Sequence, residues 1–97
     1  LAREFEHAQA LMSAAQRKES EATRVKIAAR DALADVAAQY KRFHDADHLE
    51  AYLTAFCTYE RADLTQTILT DESRAALKAL NEAETRLHQA RAAAVAV

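Results

Sequence analysis

Glycine and proline are both absent from these 97 residues, as is tryptophan, and there is a single cysteine, Cys57. Tight turns, sheet edges and hairpins of the β type lean on glycine and proline, so their absence argues for helix throughout. One cysteine excludes an intrachain disulfide, and Cys57 reads as a small hydrophobe. No apolar run approaches the ~18 residues a membrane span requires, and the final "AAAVAV" is far too short. A net charge of −2 gives no reason to expect nucleic acid as a partner. With no glycine, no phosphate-cradling loop of the known kinds can be drawn. The chain begins at Leu1 rather than Met, from which we expect a fragment or a processed product.

What the sequence has in quantity is alanine, 25 residues, with Leu, Glu, Arg, Lys and Gln filling much of the remainder. These are the strongest helix formers. Charge is divided unevenly. Residues 1–43 carry eight basic and six acidic residues, and residues 44–97 carry five and nine. Two segments of opposite sign attract if the chain folds back on itself, by well under ~1 kcal/mol per exposed pair.

Periodicity gives the architecture. At spacings of four and three, residues Leu1, Phe5, Ala8, Met12, Ala15, Glu19, Ala22, Lys26, Ala29, Leu33, Val36, Tyr40 and Phe43 form a heptad stripe, broken by Glu19 and Lys26. The same spacing links Tyr52, Ala55, Tyr59, Ala62, Gln66, Leu69, Ser73, Ala76, Leu80, Ala83, Leu87, Ala90, Ala94 and Val97, broken by Gln66 and Ser73. Glu19 and Lys26 read either as a shallow solvated waist, with Val25 taking over part of the contact, or as a polar pair that fixes register. Between the stripes, "KRFHDADHLEAY" (41–52) reads as helix end, turn and helix start. Lys41 and Arg42 suit a helix C-terminus, and Asp45 or Asp47 can cap the next helix, with Glu50 completing a capping box after Asp47.

The predicted fold is all-α, a long antiparallel coiled-coil hairpin forming one domain over 1–97 with its bend near 44–47. The alternative is a three-helix bundle broken again near residue 70, where Thr70, Asp71 and Glu72 could start a new helix. A two-helix structure of this size has a marginal core, which favours a third helix packing back or a second copy of the chain.

Candidate chemistry is sparse. His44 and His48 have the i, i+4 spacing of a helical metal pair but span the predicted turn. Glu4 and His7 have the Glu-x-x-His spacing of di-iron bundles, and Glu84 lies four before His88 where the chain would fold back beside them, yet the heptad phase points both imidazoles to solvent. No cofactor and no metal are expected, and an enzyme is the class the sequence supports least. The informative cluster lies at the bend: five of the six aromatic residues, Tyr40, Phe43, Tyr52, Phe56 and Tyr59, with Leu49 and Leu53 beside them. These seven residues are the predicted contact surface, for a protein partner or a second copy. They read either as a small core clamping the tip or as an exposed patch.

The segments "LADVAAQY" (33–40), "LEAYLTAF" (49–56) and "NEAETRLHQARAA" (81–93) resemble the FliJ/YscO family of type III export. That resemblance implies a non-enzymatic coiled-coil hairpin at the export ATPase, a stalk or escort component with a cytoplasmic location. Two other readings stand beside it. Small secreted hairpins of the WXG100 type have about this length, and "YERAD" (59–63) fits their Tyr-x-x-x-Asp signal. A helical hairpin within a larger protein, such as a membrane-fusion adaptor, has the same pattern.

Overall fold

The computed structural model describes residues 1–96; the seam position expected at Val97 lies outside them. Two helices, α1 (Ala2–Phe43) and α2 (Ala46–Ala96), account for nearly every residue and form an all-α hairpin. No described residue is in a strand. The three-helix alternative is not adopted, because α2 runs unbroken through residue 70. Thr70 does not cap a new helix. Its hydroxyl donates instead to Glu19 Oε1 on α1, at 3.4 Å.

The chain forms two compact units, a terminal unit of Leu1–Glu19 with Leu69–Val97 and a bend unit of Ser20–Ile68. In the terminal unit Ala8, Met12, Ser73, Ala83 and Leu87 are buried. Arg86 lies 3.6 Å from Glu4 across the seam. In the bend unit Ala22, Ala29 and Ala62 are buried, and Leu33, Val36, Ala55 and Tyr59 are half-buried. The buried positions are those of the heptad stripes, so the 3.5-residue period decides which face each helix turns inward.

Register follows from the contacts in each unit. In the bend unit Tyr40 stacks on Tyr52 with ring centroids 6.1 Å apart. Stepping away from that layer one heptad at a time brings Leu33 opposite Tyr59 and Lys26 opposite Gln66. In the terminal unit the Glu4–Arg86 pair sets Phe5 opposite Leu87, which brings Met12 opposite Leu80 and Glu19 opposite Ser73. The polar interruptions of one stripe therefore meet those of the other. Lys26 and Glu19 do not pair with each other: Lys26 Nζ reaches Asp63 at 2.7 Å, and Glu19 accepts from Thr70. Val25 does not take over the contact and stays exposed.

No large side chain among the described residues is fully buried, and alanine makes up most of the core. Each alanine removes little more than a methyl group from water, worth ~0.8 kcal/mol, but allows the helix backbones to approach closely. The polar threonines of α2 are accommodated by local bonding. Thr58, Thr65 and Thr85 each donate to the carbonyl four residues earlier, at 3.0, 3.0 and 2.9 Å.

Candidate functional site

The site is the bend, and it begins with how the chain turns without glycine. His44 occupies the left-handed region, with φ of 51°, the conformation in which a helix C-cap usually holds glycine. Its N–H still donates to the Tyr40 carbonyl at 2.9 Å, closing the last turn of α1. The imidazole lies over the Tyr40 ring, centroids 5.4 Å apart, and so returns toward the helix it terminates. Lys41 and Arg42 stand in that last turn, complementing its negative end.

Asp45 then caps α2. Its Oδ1 accepts from the His48 backbone N–H at 2.8 Å, and its carbonyl accepts from Leu49 N–H at 3.0 Å. The His48 ring returns to the same carboxylate, with Nδ1 at 2.6 Å. Of the two caps expected, Asp45 is the one used, so no capping box forms between Asp47 and Glu50; Asp47 lies inside the first turn as a negative charge near a positive helix end. The His48 backbone hydrogen bond, followed by its side-chain hydrogen bond, holds the Asp45 carboxyl below its ordinary value. His44 and His48 thus have separate tasks, one stacked on Tyr40 and one held by Asp45 and Phe43. Among the described residues no group of three or more His, Cys, Asp or Glu side chains is placed to hold a metal ion.

Rings continue away from the turn along both helices. Phe43 stacks on His48 at 4.8 Å, Tyr52 on Phe56 at 6.4 Å, and the Arg42 guanidinium sits 5.2 Å from the centre of the Phe43 ring. Both geometries are those in which ring quadrupoles and cations attract.

The seven residues expected to form a contact surface divide into two sets. Tyr40, Tyr52 and Tyr59 are half-buried in the seam. Phe43, Leu49, Leu53 and Phe56 are exposed, at 52%, 37%, 52% and 39%. Phe43 was expected in the heptad stripe. It is solvent-facing instead, because α1 ends with it and no further layer covers its outer side. Cys57, expected to pack as a small hydrophobe, is exposed as well.

Asp63, given no seam role by the sequence, and Thr70, read there only as a possible helix cap, take up the seam's polar interruptions on α1. Counting heptads outward from the bend would have placed them beside Lys26 and Glu19. The remaining candidates have simpler occupations. Glu4 is engaged by Arg86, Glu84 lies 4.0 Å from His88, and both His7 and His88 are exposed. No helix among the described residues is long and apolar enough to cross a membrane. The chain matches no family model, no curated protein and no solved structure.

Proposed function

We propose that this hairpin is a non-enzymatic assembly element that joins proteins through the apolar surface at its bend. The observation that carries the reading is the division of the bend cluster. Its tyrosines close the seam, while Phe43 is left to solvent at the end of α1 and Leu49, Leu53 and Phe56 are left to solvent on one flank of α2. Single exposed hydrophobes are ordinary, but a contiguous aromatic and aliphatic patch marks a contact surface. Aromatic anchors supply most of the energy at such surfaces. Protein partners, a second copy among them, are the ligands of this surface. Within the same reading, the resemblance to the FliJ/YscO family supports a stalk or escort role in a protein-export machine.

The test compares the two sets. Leu53→Gln, unfolded by denaturant at low micromolar concentration, keeps its midpoint within about 0.5 kcal/mol of the parent, as expected where a side chain serves no fold role. A loss of about 3 kcal/mol, the cost of emptying a core position, would make the cluster a clamp and remove this reading.

A further inference from the structure

The bend unit has two broad faces. One is a shallow groove lined by Ala29, Ala32, Ala51, Ala55 and Thr58, with Asp47 and Glu50 also on its wall. The other is built differently. On α2, Leu49, Leu53, Phe56, Glu60 and Asp63 follow at spacings of four and three, a stripe flanking the seam on the side away from the alanine groove. On α1, Ile27, Arg30, Ala34, Ala37 and Lys41 do the same, and in an antiparallel pair these two stripes share that face.

The stripes are complementary in size and in charge. The α2 stripe has three large exposed apolar side chains and two acids, with no base. The α1 stripe has Arg30 and Lys41, no acid, and alanines in between. Among the described residues Glu60 and Lys41 make no ion pair within the chain, and Arg30 meets only its neighbour Asp31, at 3.7 Å. Their charges stand in water beside an apolar surface.

Two copies can meet by this face in two symmetric ways. A two-fold axis across the helices lays α2 on α2, so that acids confront acids. An axis along the helices sets the two bends side by side and lays α2 of each copy on α1 of the other. Resting on the reading of the bend cluster as a contact surface, we infer that the second arrangement forms, and that the occupant of this face is a second copy of the chain. Level with one another in that dimer are Leu53 and Phe56 of one copy and the small Ala34–Ala37 stretch of the other, so large side chains meet small ones. Phe43 comes level with Leu49. Glu60 comes within reach of Arg30. The interface repeats itself about the axis, so it closes as a dimer and does not propagate. Opposite charges at its rim choose this orientation over the competing one, the use to which rim charges are best suited.

The test is a charge exchange followed by sedimentation equilibrium at tens of micromolar, with helicity checked by circular dichroism. The parent chain sediments as a dimer. Glu60→Lys, and separately Arg30→Glu, each weaken association by about tenfold or more, since each sets like charges together at both symmetric copies of the contact. An equimolar mixture of the two variants restores a mixed dimer with affinity within a few-fold of the parent. If either variant loses helicity, Glu60→Arg and Arg30→Asp give the same comparison. A helical parent that stays monomeric overturns the inference, as does a reversed variant that associates as tightly as the parent, or a mixture that fails to recover. A monomeric parent together with an unchanged Leu53→Gln midpoint removes only the self-pairing. A destabilised Leu53→Gln removes the contact surface itself.

Discussion

Lys26 Nζ lies 2.7 Å from Asp63 Oδ1, joining α1 to α2 at a seam position where the heptad calls for an apolar residue. The hydrogen bond to Asp63 raises the lysine's pKa above its ordinary value. The pair is partly exposed, so its worth lies in placement more than in stability. Lys26→Leu therefore raises the thermal midpoint by filling the seam. Asp63→Ala lowers the midpoint in the parent and leaves it unchanged in Lys26→Leu, a double-mutant cycle that measures the coupling directly. Equal effects of Asp63→Ala in both backgrounds would show that the contact has no energetic content.

Burial predicts a contrast among large side chains. Leu87 and Met12 are buried, and replacing either with alanine costs about 2–4 kcal/mol. Phe56 keeps part of its ring in water while stacking on Tyr52, and Phe56→Ala costs about 1–2 kcal/mol, below the range for a buried aromatic. Denaturant unfolding of the three variants below the association range gives the order. A Phe56 loss matching that of Leu87 would contradict a ring that is 39% exposed.

Close helix approach can be tested by enlarging it. Ala29 and Ala62 are buried, and Ala62→Leu forces a branched side chain into a space sized for a methyl group. A loss of about 1–3 kcal/mol is expected, the usual cost of overpacking. A stabilised variant would mean that the seam holds unfilled volume.

His44 is the position where a residue is held against its preference. His44→Gly relieves the left-handed backbone but gives up the stacking on Tyr40 and adds freedom to the unfolded chain. The expected balance is a gain of about 0.5–1 kcal/mol, read from the denaturant midpoint. A loss would show that the ring contact outweighs the backbone.

The cap has a pH signature. Asp45 has a lowered pKa in the folded state, so its charged form stabilises the fold above the ordinary value of 3.8. That contribution is lost as pH falls from there through the lowered folded value. Asp45→Asn retains a capping oxygen and removes the charge. Its thermal midpoint lies below the parent's at pH 7 and converges with it as the solution is acidified below pH 4. A constant difference across that window would assign the effect to geometry alone.

The seam was legible because it is a period, and a period survives substitutions among Ala, Leu, Met and Tyr. The bend was legible from the interruption of that period between Phe43 and Leu49, and from the charges around it. Local choices with several equivalent solutions were harder to read. Asp45 and Asp47 are both competent caps, and the left-handed turn at His44 decides between them. Thr70 carries a cap signal that tertiary contact overrides, since its hydroxyl finds Glu19 on the other helix. Which members of the bend cluster face outward depends on where α1 stops, and a one-residue difference there changes the fate of Phe43.

The two-residue connection between α1 and α2 also bears on how the hairpin forms. Closing Tyr40 onto Tyr52 encloses so short a segment that its entropy cost is near the minimum a chain can offer, and helix propagation on either side is fast. Each further layer of the bend unit, Leu33 with Tyr59 and then Lys26 with Gln66, joins residues more distant in sequence, but only after the layer before it has brought them together. Pairing in this unit thus proceeds as a zipper started at the turn. Lys26 and Asp63 then check alignment after the first alanine layers have closed, a point at which a slipped register would otherwise go undetected.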